Sequence, residues 1–160
     1  MTPAIELLKR LGIDHVIEAY DHDPAHESYG MEAAEALEVD PDAVFKTLMV
    51  TLDDDRVVIG VVPVRCQLDL KALAIAAGAK KARMTDPSEA ERRSGYVVGG
   101  ISPFGQRRDH STFVDLSAER WRLIHCSAGR RGLEVGVAPE VFPQVLGATF
   151  AQIAVWPTGD

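Results

Sequence analysis

Cysteine is scarce in this chain. Its 160 residues include only Cys66 and Cys126, and without a Cys-x-x-Cys pair they imply neither a disulfide framework nor a thiolate zinc site. Both thiols are expected to be reduced and to serve packing. No apolar run reaches membrane-spanning length, and the opening Met1-Thr2-Pro3-Ala4-Ile5-Glu6 lacks the basic and apolar regions of a signal peptide. A cytoplasmic protein with no membrane partner is therefore expected. Also missing are a Gly-Lys-Ser/Thr phosphate loop, a Gly-x-Gly-x-x-Gly dinucleotide turn and a Gly-x-Ser-x-Gly elbow, which removes three common catalytic frameworks. No internal repeat, low-complexity segment or long linker appears, so one domain over residues 1–160 is expected.

What is present is ordinary globular material, with 46% hydrophobic and 26% charged residues. A chain this long buries about two-thirds of its unfolded surface. The net charge of -7 argues against binding along a nucleic-acid duplex, DNA included. Its distribution is uneven, however. Residues 1–60 carry 4 Lys/Arg against 14 Asp/Glu, whereas residues 61–131 carry 13 against 7. The pairs Lys80-Lys81, Arg92-Arg93, Arg107-Arg108 and Arg130-Arg131 suit either a solvated surface or a few phosphates at a nucleic-acid end.

Local patterns order the elements. Thr2 caps a helix with Pro3 at its first position and an apolar stripe of Ile5, Leu7, Leu8 and Leu11, ended by Gly12. A strand over His15–Tyr20, a helix over Ser28–Leu37 and a one-turn segment at Asp40-Pro41 follow. Two β-branched-rich strands, Lys46–Leu52 and Arg56–Val64, form a hairpin around Asp53-Asp54-Asp55. Asp69 caps a helix through Ala76, and Asp86-Pro87-Ser88-Glu89 opens another. Later strands are expected over Ser111–Leu116, Arg120–Ser127 and Leu133–Val137, the last two joined by residues 128–132. A helix near Pro139–Leu146 and a strand near Thr149–Val155 complete the order. Hairpins alternating with single helices point to an α/β fold with a curved mixed β-sheet or open barrel surrounded by helices, and not to a doubly wound sheet.

Chemistry concentrates in two places. Residues 95–105 hold four glycines, which suit either a tight turn or a loop whose backbone N–H groups face developing negative charge. Lys46, at the mouth of an apolar strand, either snorkels or supplies a compact cation to phosphate, ribose or an oxyanion. Elsewhere the signals are weaker. His22 and His26 stand four apart, but Pro24 breaks the helix that would present both to a metal. Ser102 has no identifiable general base.

Taken in order, Thr2-Pro3-Ala4, Tyr20 with His22-Asp23-Pro24, Phe45-Lys46-Thr47-Leu48, Gln67-Leu68-Asp69-Leu70-Lys71, Gly78-Ala79-Lys80-Lys81, Gly95 through Pro103, and Gly129-Arg130-Arg131-Gly132-Leu133 resemble the YbaK/EbsC family. The resemblance is strongest to the free-standing Cys-tRNA(Pro) deacylases, relatives of the editing domain of bacterial prolyl-tRNA synthetases. It implies a pocket for the aminoacylated 3′ end of tRNA. By position, Lys46 matches the family's key lysine, and Gly99, Gly100, Ile101, Ser102 and Pro103 match its substrate loop. Tyr20, Tyr29, Thr47, Ser127 and Glu134 match pocket positions, with Tyr29 where phenylalanine is common and Glu134 where the deacylases often carry aspartate.

The resemblance further implies trans-editing without metal or cofactor, in which the thiol of the misacylated cysteine attacks its own ester. Two rivals remain open at this point. One is water-mediated hydrolysis of another small residue, such as Ala-tRNA(Pro), and the other a non-catalytic module that binds tRNA or prolyl-tRNA synthetase.

Overall fold

The computed structural model describes residues 1–26 and 28–158. Local capping sets the early elements as the sequence suggests. Thr2 Oγ1 accepts the Ile5 N–H at 3.3 Å, and α1 runs Pro3–Arg10, burying Ala4, Ile5 and Leu8, while Leu11 falls at the cap and stays half exposed. Thr2 Oγ1 also donates to the Ala128 carbonyl, tying the helix start to a strand 126 residues away. After β1 (Val16–Ala19), Ser28 caps α2 (Tyr29–Leu37) by accepting the Met31 N–H, and a 3-10 turn at Pro41–Ala43 leads into β2 (Phe45–Leu52).

The central hairpin pairs β2 with β3 (Val57–Pro63) over seven residue pairs. Alternation along it divides the core. Phe45, Met49, Ile59 and Val61 join a cluster with Leu8, Phe104, Val135 and Phe142, whereas Val50, Leu52, Val58 and Val62 pack on Leu73 and Ile153. Every residue of β3 is buried, as a central strand covered on both faces requires. Two short strands, β4 (Gln67–Leu68) and β5 (Ala82–Met84), frame α3 (Leu70–Ala76), which Asp69 caps through the Ala72 N–H at 3.0 Å. Next come α4 (Pro87–Ser94), β6 (Thr112–Asp115), β7 (Ile124–Arg130), β8 (Leu133–Val137), α5 (Val141–Leu146), β9 (Thr149–Ala151) and β10 (Ala154–Val155).

These strands make a mixed arrangement. The larger sheet has order β5-β2-β3-β6-β9, antiparallel through β3 and parallel beyond it; β1-β8-β7 forms an antiparallel three-stranded sheet, and β10 pairs with β4. The α/β class and helix-flanked mixed sheet inferred from sequence agree with this architecture.

Two expected strands are redrawn, and the Asp115 carboxylate accounts for both. Its Oδ2 accepts the Ser117 N–H and turns Leu116–Arg120 into a 3-10 helix, so the strand expected from Arg120 begins only at Ile124. Its Oδ1 accepts the Ile153 and Ala154 N–H groups at 3.0 and 2.9 Å, breaking the strand expected over Thr149–Val155 into β9 and β10 in different sheets. The 128–132 connection also shortens, because β7 continues to Arg130 through a bulge after Ser127. Asp86 occupies the N-cap position of α4 but makes no side-chain cap bond.

Replacing Asp115 with alanine strips three amides of a charged acceptor and should lower unfolding free energy by about 2–4 kcal/mol. Asp115→Asn, which keeps one oxygen for the Ile153 and Ala154 amides, should lose less. Urea denaturation of the three proteins checks this, and equal stability would remove Asp115 as the organiser of these turns.

Candidate active-site cleft

Just ahead of β2, Val44 makes an isolated parallel bridge to His125 of β7. Beyond it the larger and smaller sheets part, opening a cleft of about 630 Å3 between Phe45–Met49 on one side and Ser127 and Glu134 on the other. The cleft's relation to β2 follows from the hydrogen-bond ladder. The Thr85 N–H donates to the Met49 carbonyl, and the Asp53 N–H to the Lys81 carbonyl, so odd-numbered residues of β2 turn their backbone groups toward β5. β5 pairs only with Val50–Leu52. Between the Met49 bond and the Val44 bridge, Thr47 therefore directs its N–H and C=O at the cleft. The buried Thr47 Oγ1 has no hydrogen-bond partner among the described residues.

Of the residues singled out from sequence, the fold brings Lys46, Thr47, Tyr20, Tyr29, Gly99, Ile101, Ser127 and Glu134 to the lining. Three loop residues do not line it. The Gly100 N–H is spent on the Val97 carbonyl, and the residue packs so closely on the β7–β8 turn that a Cβ would lie 2.7 Å from Arg130 Cα. Ser102 is fully buried, its Oγ accepting the Phe104 N–H. Pro103 faces a separate cavity beside Arg10 and His110. The N–H groups of Gly99 and Ile101, in contrast, donate to no described residue.

Electrostatics sets the protonation of the walls. Glu134 stands on β8 opposite both Glu18 and Ser127. Burial, reinforced by the charge of Glu18, pushes its carboxyl up to about 8, so it is mostly neutral at pH 7. Glu18 itself is held 2.7 Å from His125 Nδ1. The Tyr20 phenol is pushed up to about 12 by burial and by Glu134. Lys46 is half-buried, and desolvation draws its ammonium below the ordinary lysine value. It makes no ion pair to a carboxylate among the described residues. The lining thus offers neutral hydrogen-bonding groups and one cation along its strands, and its one further carboxyl, Asp86, stands exposed at the start of α4.

Neither thiol lines the cleft. Burial pushes Cys66 up to about 11 and Cys126 well above the ordinary thiol value. No His or Cys is among the lining residues, and no group of three or more His, Cys, Asp or Glu side chains converges among the described residues.

The rim gives some residues a role that the sequence did not show. Gly30 lets α2 close on β3, since a Cβ there would lie 2.2 Å from Val64 Cγ1, and this seats Tyr29. His22 is fixed 2.8 Å from buried Glu32 and tilts against the Tyr29 ring. Burial works to raise the Glu32 carboxyl, but hydrogen bonds from His22 and the Asp23 N–H outweigh it and leave the group below its usual value. Arg131 lies over Tyr29 with its guanidinium carbon 4.5 Å from the ring centroid and donates to the Val98 carbonyl. In the sequence it stands out only as part of the basic pair Arg130-Arg131 and of the Gly129–Gly132 motif. Behind the loop, Gly105 lies flat on α1, where a Cβ would come within 2.7 Å of the Pro3 carbonyl group. Of the basic pairs, Arg107-Arg108 lies alongside the end of α4, which carries Arg92-Arg93.

Comparison with known proteins converges on one family. The profile of the aminoacyl-tRNA editing domain matches residues 22–144. EbsC of Enterococcus faecalis, a candidate Cys-tRNA(Pro)/Cys-tRNA(Cys) deacylase, is 36% identical over 120 residues, 75% of this chain and 73% of its own. The uncharacterized YwhH of Bacillus subtilis is 28% identical over 109 residues, 68% of this chain and 69% of its own. Among solved structures, a hypothetical protein superposes with a TM-score of 0.86 at 23% identity, covering 96% of this chain and 100% of that one. A candidate trans-editing enzyme for prolyl-tRNA synthetase superposes at 0.80 with 19% identity, over 97% and 99% of the two chains, and so shares the fold. With a profile spanning most of its length and a relative above 30% identity, the chain belongs to the aminoacyl-tRNA editing domain family.

Proposed function

We propose that this aminoacyl-tRNA deacylase acts in trans on Cys-tRNA(Pro) and that the substrate supplies the nucleophile. The observation that carries the reading is the composition of the cleft. It offers hydrogen-bond donors and a cation, yet Glu134, the carboxyl buried in its wall, is protonated at neutral pH, its other carboxyl, Asp86, stands exposed at the start of α4, its lining has no imidazole or thiol, and Ser102 is sealed in the protein. A neutral carboxyl is a poor base for activating water, so a reactant already carrying a nucleophile fits the site better. The substrate named for EbsC supports cysteine.

In this mechanism the cysteinyl sulfur attacks the ester carbonyl carbon. A C–S bond forms, the bond to the ribose oxygen breaks, and the thiol proton ends on that oxygen. The Gly99 and Ile101 N–H groups face the developing oxyanion. Thr47 receives the aminoacyl backbone through its own N–H and C=O, and Lys46 holds the terminal ribose and phosphate. Tyr20, Ser127 and neutral Glu134 fold the side chain over its carbonyl, giving the thiol a high effective molarity. The cyclic thioester then hydrolyses in solution. Prolyl-tRNA synthetase, which charges the same tRNA, is the proposed delivering partner, and the cytoplasm the proposed compartment.

Three outcomes are expected. Lys46→Ala should lower kcat/KM at least about tenfold, near 1.4 kcal/mol, with circular dichroism unchanged; full activity in the folded variant would return Lys46 to a snorkelling role. The Cys66→Ser, Cys126→Ser double variant should retain turnover on Cys-tRNA(Pro) and lose it on Ser-tRNA(Pro), because an alcohol forms its alkoxide far less readily than a thiol its thiolate. Comparable rates on the two substrates would instead indicate water-mediated hydrolysis.

The third concerns stability. The folded Glu134 carboxyl sits at about 8 against 4.5 for the free side chain, so the folded state binds more protons across that window and its stability falls as pH rises through it. Glu134→Gln keeps a neutral polar group and removes the linkage. Its melting temperature should gain on the parent from pH 4.5 up to 8 and run parallel above. A constant difference over that range would show that the carboxyl is ionised throughout.

A further inference from the structure

Val98 is gripped on both of its backbone groups, from two different elements. Glu91 Oε2 on α4 accepts its N–H at 2.8 Å, and Arg131 from the β7–β8 turn donates Nη2 to its C=O. The next residue, Gly99, has φ +92, and a Cβ there would lie 2.5 Å from Arg131 Nε and 2.7 Å from Tyr29 Cε2. Gly99 therefore packs against the side of the pair formed by the guanidinium and the aromatic ring on which it rests. Segment 95–111 contains no helix or strand. Its local order around Gly99 is one turn, closed by the Gly100 N–H on the Val97 carbonyl, and Ile101 lies beyond it.

We propose that Glu91 and Arg131 are positioning residues that aim the Gly99 and Ile101 amides into the cleft, with the Tyr29 ring as the surface that keeps the Arg131 fork in plane. The arrangement needs arginine in particular. A planar guanidinium stacks on a ring while an edge N–H donates in its plane, and an ammonium does not satisfy both geometries. Arg131 thus serves the loop, and the more obvious reading of an exposed arginine beside an RNA-binding cleft, a phosphate contact, predicts a different phenotype.

The catalytic part of this inference rests on the deacylase reading above, so the first measurement is independent of activity. In the free protein, hydrogen exchange of the Val98 and Gly100 amides, the hydrogen-bonded N–H groups on either side of Gly99, should quicken at least about tenfold in Arg131→Ala and in Arg131→Lys. Glu91→Ala should do the same for Val98, while Glu91→Gln, which retains an acceptor oxygen, should restore much of the protection. Tyr29→Phe should preserve the ring contact and the protection. Unchanged exchange in Arg131→Ala would overturn the proposal whatever the substrate.

Kinetics then separates the two roles. On Cys-tRNA(Pro), Arg131→Ala should lower kcat about tenfold with little change in KM and no change in the dependence of binding on KCl. A rise in KM with kcat preserved, and a salt slope reduced by about one, would mark Arg131 as a phosphate contact and overturn the positioning role. Parent protein inactive on every aminoacyl-tRNA, with exchange quickened as expected, would leave the loop clamp intact and reject the deacylase reading alone.

Discussion

One backbone contact determines where this protein can do chemistry. The Val44–His125 bridge joins the two larger sheets at a point, and everything useful lies where they diverge beyond it. Sheets that continued to pair would fill the space with hydrogen bonds and side chains, and sheets that never met would leave an open groove. A single bridge instead leaves a bounded cleft that opens away from it. Thr47 sits just past that bridge, where β2 has left its neighbour on one side and not yet gained β5 on the other. Its backbone is presented to the cleft by topology, at a position where any side chain would leave the same two groups exposed.

The two walls of the cleft differ in kind. The β7–β8 wall is built of regular strands, and its polar groups are kept uncharged by burial and by the carboxylate of Glu18 behind Glu134. The loop wall has no strand or helix and is held by contacts made one at a time: Gly100 against the Arg130 backbone, the Tyr96 hydroxyl donating to the Phe104 carbonyl, Ser102 turned inward. A rigid neutral wall can recognise a small side chain without strong charge. A loop wall can present bare peptide N–H groups, which a strand in a ladder has already committed.

Sequence alone reached the elements whose signals are local. Thr2, Ser28 and Asp69 cap their helices because the capping side chain and the amide it accepts lie three residues apart, and any reader of the sequence sees both. Lys46 and Glu134 were found through motif order, and the fold does place them on one cleft. What escaped was set by partners far away in the chain. Asp115 redirects residues 153 and 154, and no propensity of Thr149–Val155 reveals that a carboxylate 38 residues earlier will take two of its amides. β4 and β5, two and three residues long, are too short for alternation to show. The glycine loop looked like a uniform run of candidates, yet contacts with α4, the β7–β8 turn and the core leave Gly99 and Ile101 on the cleft and Ser102 buried.

The packing of α1 behind that loop has a consequence for how the chain is made. Thr2 is anchored on Ala128, and Gly105 lies flat against the Pro3–Ala4 peptide, so α1 has no seat until residues near 105 and 128 have followed it from the ribosome. At about 5–20 residues per second, that interval is on the order of ten seconds. During synthesis the apolar face of α1 waits uncovered, and the loop wall of the cleft lacks its backing. Segments made about a hundred residues apart must meet before this cleft acquires its second wall.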